Sequence, residues 1–568
     1  MSDGEGVAGN ISELYFGGCS VRWVLVSSAH PRTLLQRAAA VVAAVLLVAG
    51  CGLDSHSEGA TSGVPDAVTT DPALVHTASG TVRGLVNPDL RFFGGIPYAA
   101  PPLGALRFRP PAPALAWDGA RDGAKPGARC IQDPKGDLEM GRNTSEDCLT
   151  VNVWTPPVRA SGERRPVLVW LHGGGFINGS SSIYNSTRLT TRGDVVVVTV
   201  NYRLGALGFL AHPALGAGPD VGNYGLADQQ AALRWVRDNI AAFGGDPDKV
   251  TIAGESAGGM SVCDHLVAPD SAGLFRGAII ASGPCQAQGA LPEATRASLA
   301  YAKAAGCGDP AVAADCLRNL PLDKLRKPVW YYGIGENMLS GPVSGTTLLP
   351  VDPMRAISDG AAARVPVMIG TTRDEFTLFV ALQYLRAGKR FHADAYPHLL
   401  ESTFGADAGA VAERYPLDRY GGSAAVAYST AVTDGAFACV ADRIGDELGA
   451  DAPVYGYEFA DPAPPTPDPL RHLPFPVGAS HSLDLRYIFN MGGAPPPTPP
   501  QIALSDQMID YWSSFVRDGR PSAEGAPDWP PLAGGDHDPR MSLRPDGSRL
   551  VTDYDQVHQC AFWGTLQH

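Results

Sequence analysis

Basic charge is scarce in this chain: 44 Lys and Arg stand against 58 Asp and Glu, a net charge of −14. Nucleic-acid binding demands clustered Lys and Arg, so that class is excluded. No two cysteines have C-x-x-C spacing, so no zinc ribbon is written in the chain. No internal repeat divides the sequence. The apolar run Ala38–Ala49 falls short of the ~20 residues that a membrane-spanning helix needs. Disorder is excluded as well, because 45% of the residues are hydrophobic and only 18% are charged. At 568 residues the chain could hold several average domains, but α/β folds often grow this large as one unit.

The N-terminus carries an address. Arg32 and Arg37 precede the apolar run, which ends Leu47-Val48-Ala49-Gly50-Cys51. A basic region, an apolar core and small residues at the cut describe a signal peptide. Cys directly after Ala-Gly resembles the lipobox of bacterial lipoproteins, which implies acylation of Cys51 and a membrane anchor. Residues 1–23 are a polar stretch that such a leader does not need, and the expectation is that translation begins further in, at Val24 or Val26. Residues 51–75 are rich in Gly, Ser, Thr, Asp and Pro and form the expected flexible tether. Of ten cysteines, Cys19 leaves with the leader and Cys51 goes to lipid; the remaining eight suit an oxidising compartment. Sequence alone leaves their pairing open, although Cys130–Cys148 and Cys307–Cys316 close the shortest loops.

From residue 76 to 568 the expectation is one α/β domain. Pro166–Leu171, Val195–Val200, Val250–Ala253, Gly277–Ala281, Val365–Gly370 and Val454–Phe459 are continuous apolar strands, and Asp228–Ile240 has helical spacing. Such alternation builds a large, mainly parallel twisted sheet with helices on both faces, whose active residues sit at the C-terminal strand ends.

One of those ends carries the chemistry. Gly254-Glu255-Ser256-Ala257-Gly258 follows Val250–Ala253 and opens a helical segment, the setting of a G-x-S-x-G nucleophile elbow. Small residues are needed there because side chains would collide with strand and helix. A serine hydroxyl also needs a base near operating pH and a carboxylate to steady that base once charged. Glu375 follows the strand ending at Gly370, and His481 follows the strand ending near Phe459 after a Pro-rich loop. Ser, then Glu, then His is the chain order of α/β-hydrolases.

Further segments resemble the type-B carboxylesterases, the family of carboxylesterases, cholinesterases and some lipases. They are Phe93-Gly94-Gly95-Ile96-Pro97-Tyr98-Ala99, Ser145-Glu146-Asp147-Cys148-Leu149, His172-Gly173-Gly174-Gly175-Phe176, Asn201-Tyr202-Arg203-Leu204-Gly205 and Phe243-Gly244-Gly245-Asp246-Pro247. The resemblance spans about residue 76 to Trp563. It implies the α/β-hydrolase fold, with Ser256 as nucleophile, Glu375 as acid and His481 as base. It implies oxyanion donors on the backbone of Gly174, Gly175 and Ala257. It implies disulfides Cys130–Cys148, Cys307–Cys316 and Cys439–Cys560; Cys263 and Cys285 are left over and are expected to form a fourth. It also implies an ion pair between Glu146 and Arg203. No metal or cofactor is expected.

Other residues compete for these roles. His265 belongs on the helix after the elbow as a structural residue. His472 is close to His481 but lacks its motif. Asp374 and Asp484 are alternative carboxylates, Glu255 could tune the site electrostatically, and Trp330-Tyr331-Tyr332 could line a pocket. The loop Cys130–Cys148 contains no aromatic residue, where cholinesterases carry a tryptophan that holds the quaternary ammonium. Ser482 and Leu483 stand after His481 where cholinesterases have Gly first. The expected function is a serine carboxylesterase acting on short to medium uncharged esters. A lipase on longer esters and a non-catalytic surface binding protein are the alternatives.

Overall fold

A computed structural model describes residues 71–566, apart from 136–141, 160, 336 and 536. Cys19, Cys51, the leader and the tether up to residue 70 lie outside the described residues. Eleven strands form the main sheet: β1 (Leu85–Val86), β2 (Arg91–Pro97), β3 (Thr150–Thr155), β4 (Arg165–Leu171), β5 (Val196–Val200), β6 (Gly245–Glu255), β7 (Gly277–Ala281), β8 (Val367–Thr372), β9 (Val454–Phe459), β10 (Arg540–Leu543) and β11 (Arg549–Val551). Their spatial order is β11-β10-β9-β8-β7-β6-β4-β5-β3-β2-β1. From β10 across to β5 all neighbours are parallel. Antiparallel strands finish both edges. The expected mainly parallel sheet is therefore present, in a single large α/β unit.

The apolar runs explain why the centre is parallel. Every residue of β5 is buried, as a strand covered on both faces requires. Along β4, Val167, Val169 and Leu171 enter one core cluster while Leu168 and Trp170 enter another, so alternate side chains feed cores on opposite faces. Helix Pro499–Asp518 packs Trp512, Phe515 and Val516 into the second cluster. Helix Tyr224–Asn239 supplies Leu233, Trp235 and Val236 to the first.

The edge strands were not legible as strands. In β3 the polar Asn152 is fully buried, because its side chain bonds the backbone of Gly95 and the hydroxyls of Ser181 and Thr199. β2 is broken by a register shift between Phe93 and Ile96.

Cys130–Cys148, Cys263–Cys285, Cys307–Cys316 and Cys439–Cys560 are all joined, the leftover pair included. Four disulfides mark a chain that folds in an oxidising, extracytoplasmic compartment. The expected ion pair between Glu146 and Arg203 does not form. Arg203 instead grips Asp228 with two nitrogens, at 2.7 and 2.6 Å, both side chains being buried. Glu146 takes Arg107, at 2.5 and 2.7 Å. Each guanidinium meets its carboxylate side-on through Nε and Nη2, and two bidentate pairs replace the single expected one.

Candidate active site

β6 ends at Glu255, and helix Ala257–Val267 begins one residue after Ser256. The chain turns there with Ser256 at φ +59°, ψ −123°, a strained conformation for a residue with a β-carbon. Space forces the flanking glycines. A Cβ at Gly254 would stand 2.4 Å from the Gly258 carbonyl, and one at Gly258 would stand 2.0 Å from Leu171 O. The serine N–H donates to Ala281 O at 3.0 Å, which ties the elbow to β7. Ser256 is half-buried among fully buried neighbours.

Glu375 and His481 meet at the neighbouring strand ends. At the last residue of β8, the Thr372 N–H donates to Glu375 Oε1 at 2.7 Å. Oε2 lies 2.5 Å from Nδ1 of His481. Asp374 serves the loop rather than the imidazole: its Oδ2 accepts the Ala479 N–H at 2.8 Å, and its own N–H donates to Ala479 O. Glu255 Oε1 stands 3.1 Å from Nε2 of His481, an ion-pair contact without hydrogen-bond geometry. Nε2 thus lies against the side chain of the residue that precedes Ser256, and among the described residues it makes no hydrogen bond, to Ser256 Oγ or to any other atom. Burial alone would pull the His481 pKa down, but Glu255 and Glu375 outweigh it and hold it at about 9. Burial also raises Glu255, and it pushes Asp484, which faces Glu255 and Glu375, up to about 8. The rings of Phe379 and Phe437 flank the imidazole at 5.1 and 5.5 Å.

The glycine loop after β4 lies against the serine. A Cβ at Gly173 would be 3.1 Å from Ser256 Cβ. Gly174 and Gly175 have φ of +110° and +61°, and a Cβ at Gly174 would stand 2.2 Å from Asn178 O. Among the described residues, the N–H groups of Gly174, Gly175 and Ala257 have no acceptor. His172 stacks on Tyr202 at 4.3 Å, and burial lowers its pKa to about 4, so it is a neutral support for the loop. Leu339 closes the far side, 3.2 Å from where a Gly175 Cβ would be.

The competing residues lie elsewhere or do other work. His265 bonds Ser271 and Gln229 in the core. His472 is exposed beside Asp468. Tyr331 bonds Phe209 O and Ser298 as a packing residue, and Trp330 is exposed. Asp484 is buried at the start of the short helix after His481. Among the described residues, no group of three His, Cys, Asp or Glu could hold a metal ion. Sequence reasoning missed Phe379 and Phe437, which as isolated aromatics signalled only core.

The model of the family described as "Carboxylesterase family" matches residues 71–563. The chain is 33% identical to the cocaine esterase of Homo sapiens, covering 91% of this chain and 93% of that protein. It is 35% identical to the para-nitrobenzyl esterase of Bacillus subtilis (strain 168), over 80% of this chain and 92% of the relative. It is 35% identical to the acylcarnitine hydrolase of Mus musculus, over 83% and 86%.

Proposed function

Because the chain belongs to the carboxylesterase family and is a carboxylic ester hydrolase, we propose that Ser256, His481 and Glu375 carry its reaction. Ser256 Oγ attacks the ester carbonyl while Nε2 of His481 takes its proton. Glu375, fixed by the Thr372 N–H, steadies the imidazolium through Nδ1. The oxyanion rests on the N–H groups of Gly174, Gly175 and Ala257. His481 then protonates the departing alcohol, and a water activated by the same nitrogen releases the acid from Ser256. The carrying observation is the Glu375–His481 contact, with Nε2 of His481 against Glu255, the residue before Ser256 in the strained elbow. Ser256→Ala and His481→Ala should each lower kcat by ~10³ or more; either variant keeping half the wild-type kcat overturns the assignment.

The acyl esters handled are short to medium and uncharged. Support comes from the aromatic-free Cys130–Cys148 loop, which lacks a cation-holding ring, and from the apolar walls at Leu339, Phe379 and Phe437. A chain-length series of nitrophenyl esters, with butyrylcholine as the cationic comparison, tests this. Efficient butyrylcholine hydrolysis overturns it, and a rate maximum at long chains favours the lipase reading. The enzyme is exported and anchored through acylated Cys51, with the Ala-Gly-Cys order as support. Cys51→Ser should move activity from membrane to soluble fractions or block processing; wild-type activity that is already wholly soluble overturns the anchor.

A further inference from the structure

The Ser482 hydroxyl takes no part in the steps above, yet it reaches the centre of the site. Ser482 has φ of +67°, a conformation glycine adopts freely and a β-carbon resists. Its Oγ donates to Oε1 of Glu255 at 2.5 Å. That same oxygen faces Nε2 of His481 at 3.1 Å. The other carboxylate oxygen lies beneath the glycine loop, 2.8 Å from where a Gly173 Cβ would be. Among the described residues Ser482 is the only hydrogen-bond donor to this carboxylate.

The Glu255–His481 contact lacks hydrogen-bond geometry, so Glu255 acts on the imidazole through its charge. In a buried site such an interaction is strong and depends on where the charge sits. We propose that Ser482 is a positioning residue for ester hydrolysis: its hydroxyl anchors the Glu255 carboxylate beside Nε2 and thereby sets how tightly His481 holds its proton. This rests on the reading of His481 as the base. Glu375, Asp484, Tyr184 and Tyr457 also face the Glu255–His481 pair, and none of them replaces the Ser482 hydrogen bond.

Removing the hydroxyl frees the carboxylate. It also makes Glu255 easier to protonate, because a hydrogen bond to its charged form is lost. Both changes weaken the negative charge at Nε2, so His481 gives up its proton at lower pH. The test is kcat/KM against pH with a neutral nitrophenyl ester for wild type, Ser482→Gly, Ser482→Ala, Glu255→Gln and the Ser482→Gly/Glu255→Gln pair. His481→Ala serves as the control. The rising limb should move down by about half a pH unit in both Ser482 variants, a threefold change in proton affinity. In the double variant it should coincide with that of Glu255→Gln alone. Ser482→Ala keeps the β-carbon and removes only the hydroxyl, so a shift shared by both variants belongs to the hydroxyl; Ser482→Gly, which relieves the backbone at φ +67°, reports if the alanine variant fails to fold. A limb that stays put or moves up, or a shift that persists in the Glu255→Gln background, overturns the proposal. A His481→Ala variant that keeps most of the activity overturns the underlying reading instead.

Discussion

Glu375 Oε2 and His481 Nδ1 lie 2.5 Å apart although 106 residues separate them in the chain. Two strand ends and two loop pins make that contact. The Thr372 N–H aims the carboxylate, and Asp374 ties the histidine loop down through Ala479. On the proposed assignment, Glu375→Gln keeps the shape but removes the charge that would stabilise the imidazolium. It should lower kcat by ~10³–10⁴ with little change in KM, read by steady-state kinetics.

The pH profile carries the signature of the second carboxylate. An unperturbed imidazole would place the rising limb of kcat/KM near ~7. With Glu255 and Glu375 at its two nitrogens, His481 holds its proton up to about 9. If His481 is the base, as proposed, it must be neutral to act, so kcat/KM should keep rising with pH through about 9. A pH–rate profile that flattens below 7.5 would mean that the two carboxylates do not hold the proton on His481.

The glycine loop makes a sharp steric prediction. In Gly174→Ala a Cβ would stand 2.2 Å from Asn178 O at a φ of +110°, so the loop must move. On the proposed assignment of Gly174 as an oxyanion donor, its misalignment should lower kcat by about 10²–10³ while substrate binding changes little. Steady-state kinetics on the folded variant, checked by circular dichroism, read this directly.

Another buried histidine, also set between two carboxylates, holds the C-terminal segment. His558 bonds Asp434 at 2.7 Å and Glu458 at 2.9 Å. Burial lowers its pKa, but these two carboxylates outweigh that and raise it to about 10. A histidine pKa raised on folding stabilises fully below ~6.5 and loses that effect as pH rises through the folded value. His558→Ala should therefore cost about 3–5 kcal/mol at pH 6 by taking the cationic partner from two buried carboxylates, with Asp434 keeping only the Tyr415 hydroxyl. The gap to wild type should narrow as pH approaches 10. Urea denaturation at several pH values is the measurement.

The disulfides should rank by loop length. Cys439–Cys560 spans 121 residues and Cys307–Cys316 spans 9. Loop-closure entropy assigns them about 5 and about 2.6 kcal/mol respectively. Replacing the first pair by serine should lower Tm more than replacing the second, as calorimetry would record.

Much of the geometry of the candidate site was legible in the sequence because its constraints are local. The elbow needs glycines at 254 and 258, and a short sequence states that directly. The central strands announced themselves as unbroken apolar runs. What stayed hidden depends on side chains meeting across the fold. Arg203 chose Asp228 over Glu146 through fork geometry that spacing does not encode. β3 hid because its buried Asn152 looks like a surface residue until its three partners are known. Ser482 was visible as a departure from glycine, but its bond to Glu255 spans 227 residues.

The central claim is that Ser256 forms the acyl-enzyme. Titration with a fluorophosphonate ester, followed by intact-protein and peptide mass spectrometry, tests it most directly. The account predicts one adduct per chain, on Ser256, with activity lost in proportion to labelling and no adduct in Ser256→Ala. Full inactivation with the adduct on any other residue, or full labelling of Ser256 with activity intact, would contradict it.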